Sequence, residues 1–184
     1  MYGFFFKKEE CCGCGACAAV CPVHAIHMGQ DREGFAYPHM DASVCICCGK
    51  CKKICPIKNS ALKNCVNRYL GAKAKEEQVR YGSSSGGVFP ILAEYVLERN
   101  GVVYGAGYDS DMRVVHRQAG NPEELEKLKR TKYVQSSLEG IFLRVEQHLK
   151  EKRPVLFCGT PCQTQAIRLF LGGDYEGLFL VDLV

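Results

Sequence analysis

No run in this 184-residue sequence approaches the roughly 18 consecutive apolar residues that a membrane-spanning helix needs, and the mean hydropathy is -0.12. A transmembrane segment is excluded on that ground. Strong charge of one sign is also missing, since 24 Lys and Arg stand against 20 Asp and Glu for a net charge of +4. Nucleic-acid binding normally announces itself with a concentrated basic face, so that class has no support. No export signal is visible either. The apolar patch from Tyr2 through Phe4, Phe5 and Phe6 comes before Lys7, Lys8, Glu9 and Glu10, the reverse of the order a secretory signal requires. A cytoplasmic location is expected. With 47% hydrophobic and 24% charged residues, the chain can bury a core and is not disordered.

What the sequence has in excess is cysteine. Ten of its 13 cysteines lie between Cys11 and Cys55, and only Cys65, Cys158 and Cys162 lie beyond. A disulfide scaffold belongs to short exported chains, so clustered cysteines here point to metal. Cysteine density also divides the chain. Residues 1–60 read as a cysteine-rich module, 61–80 as a polar linker with a short strand at Val66–Leu70, and 81–184 as alternating helices and strands.

The first module is an internal repeat. Cys11-x2-Cys14-x2-Cys17-x3-Cys21-Pro22 recurs 34 residues later as Cys45-x2-Cys48-x2-Cys51-x3-Cys55-Pro56. Both copies match the bacterial ferredoxin run. Three thiolates on one tight loop can grip three irons of a cubane, and small residues such as Gly13, Gly15 and Ala16 let the backbone wrap closely. The fourth cysteine begins a turn that leads away, so it serves the other cluster. Two [4Fe-4S] clusters are therefore expected, one on Cys11, Cys14, Cys17 and Cys55, the other on Cys45, Cys48, Cys51 and Cys21. Zinc prefers paired knuckles separated by a long loop, a poorer match to this doubled pattern. Cys12 and Cys47 fall off the ligand register and read as bystanders or substitute ligands; Cys65 reads as a small apolar residue. A hairpin is expected between the copies, with Ala25–Met28 and Phe35–His39 flanking a polar turn.

Residues 1–60 carry seven Lys and Arg against five acids, with Lys50, Lys52 and Lys53 in the second loop. That balance suits a built-in relay, or docking to an acidic redox partner protein, better than a free acidic carrier.

In the second half, apolar spacing from Val88 to Leu97 predicts a helix, with Val88, Ile91, Leu92, Tyr95, Val96 and Leu97 on its core face. Val102–Tyr108 and Arg113–Ala119 read as strands, and Asn121-Pro-Glu-Glu124 as a capped helix start. Leu138–Lys150 reads as a helix burying Ile141, Phe142, Val145 and Leu149. Pro154–Cys158 is a short strand, Pro161–Leu171 a helix and Gly177–Val184 a further strand, which suggests parallel pairing in an α/β layer. Because that last apolar strand has no polar ending, the chain reads as a truncated product.

Two segments carry chemistry. Ser83-Ser84-Ser85-Gly86-Gly87 opens a helix, where hydroxyls and free N–H groups suit an anion, or simply cap the helix. Phe157-Cys158-Gly159-Thr160-Pro161-Cys162-Gln163 opens another. Cys162 near the positive helix end is expected to have a lowered pKa, and Cys158 with Cys162 is a candidate redox pair; an ordinary cap beside a buried cysteine is the alternative. The histidines (His24, His27, His39, His116, His148) are scattered and read as surface or packing residues.

The order of these motifs, with Val103-Tyr-Gly-Ala106 and Lys132-Tyr-Val-Gln-Ser136 between them, resembles the beta subunit of coenzyme F420 hydrogenase/dehydrogenase. The resemblance implies an iron-sulfur flavoprotein oxidoreductase binding FAD and exchanging a hydride with coenzyme F420 or a related acceptor. By the same resemblance Ser84, Ser85, Gly86, Gly87, Gly159, Thr160, Pro161, Cys162 and Gln163 line the flavin and substrate pocket. Lys132 meets a phosphate or the acidic tail of F420, and Cys162 is a candidate ligand of an additional cluster. The expected architecture is an α+β ferredoxin-like two-cluster module followed by a truncated α/β flavin-binding domain. A non-catalytic ferredoxin-type module docking a partner enzyme is the alternative from another class, and a thiol-disulfide reductase a third.

Overall fold

A computed structural model describes residues 7–59, 68–173 and 175–183. The patch Tyr2–Phe6, Cys65, and Val66 and Asn67 of the expected strand lie outside the described residues; residues 68–70 have no regular structure.

The cysteine repeat folds as a structural repeat. α1 (Ala16–Ala19) and α2 (Lys50–Lys53) are single helical turns, each entered through a left-handed glycine: Gly15 at φ 76° and Gly49 at φ 72°. Glycine takes that conformation without the Cβ penalty, so both copies bend at the same place. Between them β1 (Ile26–Gln30) and β2 (Ala36–Met40) form the expected hairpin, antiparallel with Ile26 opposite Met40 and Gln30 opposite Ala36. Asp31 shapes its turn. One carboxylate oxygen accepts from Glu33 N at 2.9 Å and Phe35 N at 3.0 Å, while the other pairs with Lys8 Nζ at 2.6 Å. The Lys8 ammonium, with those amides, holds this carboxyl below the usual range.

The larger unit begins with α3 (Glu77–Tyr81), a short helix inside the segment expected to be linker. Then come α4 (Val88–Leu97), β3 (Val102–Tyr108), β4 (Val114–Ala119), α5 (Pro122–Glu126), α6 (Ile141–Lys150), β5 (Val155–Gly159), α7 (Pro161–Leu171) and β6 (Leu178–Asp182). The sheet order is β4-β3-β5-β6, with β3, β5 and β6 parallel and β4 antiparallel at one edge. The expected α/β layer is present. Alternation along β3 and β5 feeds two cores: Val102, Tyr104, Val155 and Phe157 face α6 and α7, whereas Val103 and Leu156 face α4 and α5. Ala16 and Ile54 of the ferredoxin module are buried in the first core, packed with Cys14, Ala19 and Val20. The module is thereby docked on the α6–α7 side.

One helix boundary and one helix face differ from expectation. α6 begins at Ile141, not Leu138, because Gly140 turns left-handed at φ 72° before it. Asn121 caps α5 as expected, accepting from Glu124 N at 2.9 Å. α4, however, buries Pro90, Ala93 and Val96, while Val88, Ile91, Leu92 and Tyr95 are exposed by 37–46%. The small side chain of Ala93 lets the helix approach β3 and β5 closely, so the larger apolar residues are turned outward. No helix among the described residues is long and apolar enough to cross a membrane.

Candidate functional site

Cys55, the fourth cysteine of the second run, sits with the first three of the first run, and Cys21 is a neighbour of Cys51. Cys11, Cys14 and Cys17 line one pocket together with Cys55, closed by Met28, Pro38 and Ile57. Burial raises the Cys11 thiol, with Cys55 adding to the effect; burial pushes Cys17 to about 12, with Cys11 and then Cys51 and Cys55 adding. Cys51 is likewise raised by burial and by its neighbours Cys48 and Cys21. Cys45 opens the same loop, and Cys21 Sγ accepts a hydrogen bond from Ala25 N at 3.2 Å. Among the described residues no three His, Cys, Asp or Glu side chains close around a single ion. Four soft donors around one pocket, with a fourth ligand from the distant run, fit a [4Fe-4S] cluster.

The two copies differ at one informative position. Gly13 (φ 63°) corresponds to Cys47 (φ 54°), so both loops bend left-handed there. A Cβ on Gly13 would lie 2.3 Å from Gln135 Nε2 and 2.6 Å from the Ala36 carbonyl. The first loop is pressed against the larger unit, whereas Cys47 and Cys48 are exposed.

A second cavity of about 490 Å³ lies at that junction. Its size falls within the range of small-molecule and cofactor sites. Its wall includes Ser84, Ser85, Gly86, Gly87, Lys132, Gly159, Thr160, Cys162 and Gln163, together with Cys12 and Gly13 of the first cluster loop. Pro161 is not in the wall; it serves as the first residue of α7. The N-termini of α4 and α7 both open here. α7 is closed by a capping box of Thr160 and Gln163, with Thr160 N donating to Gln163 Oε1 at 3.0 Å. α4 has Gly87 at its start and no side-chain cap, so its first N–H groups are available to an anion. Ser84 Oγ accepts from Thr131 N at 2.8 Å and ties the two sides of the rim. Glycine at 86 has a packing reason: its Cβ would lie 2.7 Å from the Ala72 carbonyl, where Ala74 N already donates to Gly86 O.

The wall also contains a buried polar relay that motif spacing does not mark. Burial pushes His116 down to about 4, so the ring is neutral near pH 7. Its Nε2 must then donate to the Cys158 carbonyl at 3.1 Å, which leaves Nδ1 to accept from Ser136 Oγ at 2.9 Å. Gln163 Nε2 in turn donates to Ser136 Oγ at 3.0 Å. The ring stacks on Phe157 at 5.0 Å, a packing role of the kind expected for the histidines. Ser136 and Gln163 both belong to sequence motifs described above; His116 belongs to none.

Three expectations change in this region. Lys132 reaches the wall, but its ammonium donates to the carbonyls of Leu128 at 3.1 Å and Lys129 at 2.6 Å, with Lys127 O at 3.5 Å, and so binds the end of the α5 segment. The Cys162 thiol is raised, not lowered: its hydrogen bond with Cys12 and its burial outweigh the helix end. The thiol that raises Cys162 is thus Cys12, the expected bystander, and not Cys158. Cys158 is pushed to about 11 by burial, with Asp182 adding to it. Cys12 is itself raised to about 12, chiefly by a hydrogen bond with Cys14.

Comparison with known proteins divides the chain at the same place. Residues 10–59 match the model of the 4Fe-4S dicluster domain, and residues 69–142 match that of the coenzyme F420 hydrogenase/dehydrogenase beta subunit N-terminal domain. One subunit of the F(420)H(2) dehydrogenase of Methanosarcina mazei is 24% identical over 192 residues, covering 95% of this chain and 52% of that protein. The chain therefore spans about half the length of this relative. A chain of the F420-reducing [NiFe] hydrogenase complex from Methanosarcina barkeri, in a xenon-derivatised structure, superposes with a TM-score of 0.43 at 22% identity, over 52% of this chain and 34% of that one. In this order and with the repeat intact, the chain thus matches a 4Fe-4S dicluster domain followed by the N-terminal domain of the coenzyme F420 hydrogenase/dehydrogenase beta subunit.

Proposed function

We propose that this chain is an electron-transfer unit of an iron-sulfur flavoprotein oxidoreductase, holding two [4Fe-4S] clusters and an FAD. Cys11, Cys14, Cys17 and Cys55 would hold one cluster, and Cys45, Cys48, Cys51 and Cys21 the other. The observation that carries the reading is the shared wall: Cys12 and Gly13 of the first cluster loop line the same 490 Å³ cavity as Ser84–Gly87, Gly159, Thr160, Cys162 and Gln163. When bound, clusters supply one-electron steps and a flavin converts them into two-electron or hydride chemistry.

The residues divide that work. The uncapped start of α4 and the Ser84 and Ser85 hydroxyls suit the diphosphate of FAD. The His116–Ser136–Gln163 relay fixes the turn that carries Gly159 and Thr160, so the pocket floor is set before a ligand enters. Coenzyme F420 or a related deazaflavin is the proposed acceptor, by similarity to the dehydrogenase relative. The exposed ammonium groups of Lys50, Lys52 and Lys53 on α2, beside Cys51, suit an acidic redox partner protein.

Iron, sulfide and flavin per chain, measured after anaerobic purification and reconstitution, test the proposal. About eight irons with one flavin support it and justify assaying F420 reduction. About eight irons without flavin would leave a relay that docks a partner enzyme, and zinc in place of iron would defeat both readings.

A further inference from the structure

The 490 Å³ cavity caps one edge of the parallel sheet: Ala106 of β3, Gly159 of β5 and Asp182 of β6 all stand in its wall, the last two as the final residues of their strands. Open parallel sheets take their ligands at the carboxyl ends of the strands. Asp182 is the only acidic residue of that wall among the described residues, and it lies opposite Gly159 in the β5–β6 register. Its Oδ1 accepts a hydrogen bond from Thr164 Oγ1, and Thr164 is buried at 5% exposure. Among the described residues its other oxygen has no partner, although Lys129, Arg130 and Lys132 share the wall. Lys129 pairs with Glu126 instead, and Lys132 is taken up by backbone carbonyls. A carboxylate held in place by a neutral hydroxyl, with one oxygen free, takes uncharged O–H donors and repels phosphate.

We infer that Asp182 is the acceptor for a sugar diol: adjacent hydroxyls of a nucleotide bound in the cavity donate to its free oxygen, and Thr164 is the positioning residue that aims it. The inference rests on the flavin-nucleotide reading given above and deepens it by naming the group that meets β6. In dinucleotide-binding sheets an acidic residue about 20 residues beyond the first strand-to-helix turn holds the ribose. Here β5, α7 and β6 form such a strand-helix-strand unit, and Asp182 follows Gly159 by 23 positions. The turn itself differs. The Thr160–Gln163 capping box closes it, so the phosphates belong at the other rim, where Ser84 is tied to Thr131 beside Arg130. Two parts of a flavin dinucleotide carry the required hydroxyls, the ribityl chain and the ribose of the adenosine half.

Anaerobic titration calorimetry of the cluster-loaded chain tests the inference, with ADP against 2′-deoxy-ADP for the ribose and riboflavin against lumiflavin for the ribityl chain. In the wild type the hydroxyl-bearing member of one pair should bind at least about tenfold more tightly, and that pair identifies the source. Asp182→Ala should bring the ratio within about twofold and weaken FAD about tenfold, with iron content unchanged. The freed Thr164 hydroxyl still has the Pro161 carbonyl at 3.1 Å. Thr164→Val should lower the ratio partway and Thr164→Ser restore it. Should Asp182→Ala not fold, Asp182→Asn keeps the shape without the charge and should cut the ratio at least about threefold. Equal affinities within both wild-type pairs, or a ratio that survives the Asp182 variants, overturns the inference. FAD binding indifferent to Asp182 overturns it alone and leaves the flavin reading standing. Asp182-dependent ADP discrimination in a chain that binds no flavin supports it and defeats that reading, and no binding of any probe defeats both.

Discussion

Gln135 clasps Cys12 by the main chain: its Nε2 donates to the Cys12 carbonyl at 3.2 Å while its Oε1 accepts from Ala36 N at 3.2 Å. One amide from the larger unit thus joins the first cluster loop to the β1–β2 hairpin. It passes so close to Gly13 that no side chain fits between them. Gly13→Ala should therefore act on the docking of the two units and not only on the loop. The expected cost is about 1–3 kcal/mol from the left-handed backbone and the crowded Cβ. Gln135→Ala, which removes two solvent-accessible hydrogen bonds, should cost less, about 1 kcal/mol. Anaerobic thermal unfolding of the two variants tests that ranking, and an unchanged Tm in Gly13→Ala would contradict the close approach.

Cys47 should respond in the opposite sense. It occupies the same left-handed bend as Gly13 but is exposed, with φ 54°. Cys47→Gly should relieve strain worth about 1 kcal/mol and leave iron and sulfide per chain unchanged. Iron loss in this variant would make Cys47 a ligand.

Cys55→Ser tests the crossed ligand sets. The variant should disturb the site of Cys11, Cys14 and Cys17 and spare the one on Cys45, Cys48, Cys51 and Cys21. Iron should fall to about half, and Cys21→Ser should remove the other half. If either variant damaged the site of its own run instead, the crossing would be wrong.

His116 makes a pH prediction. Burial lowers its pKa from 6.5 to about 4, so the unfolded chain binds the proton first as pH falls. Stability that is intact above pH 6.5 should decline below it and be lost in full by about pH 4, a total of about 3 kcal/mol. His116→Gln should lower stability at neutral pH and flatten this decline. Denaturant midpoints at intervals between about pH 5 and pH 8 read both effects, and a wild-type slope equal to that of the variant would place the titration elsewhere.

Lys132 should behave as a structural cation. Its ammonium closes the carbonyls of Lys127, Leu128 and Lys129, and burial lowers its pKa. Lys132→Met should cost about 1–2 kcal/mol of stability and leave flavin affinity within about twofold. A tenfold loss of flavin affinity at unchanged Tm would restore the phosphate-binding role.

Local chemistry made much of this protein legible in its sequence. The doubled cysteine run marked the 4Fe-4S dicluster module, because a cubane demands thiolates at set spacings, and the left-handed glycines at 15 and 49 enter its two tight loops. Apolar periodicity placed α6 and its buried face, and Asn121-Pro122 placed the start of α5. What depends on separate stretches meeting was not legible. The outward apolar face of α4 follows from how closely Ala93 lets it approach the sheet, and the turn of the Lys132 ammonium from where the α5 segment ends. Spacing alone pairs Cys162 with Cys158, four residues away; tertiary packing brings Cys12 of the first cluster loop to the same cavity wall. Spacing along a chain records which residues can share one element, whereas the docking of the ferredoxin loop against α7 is a long-range choice made by Ala16, Ile54 and the core beneath them.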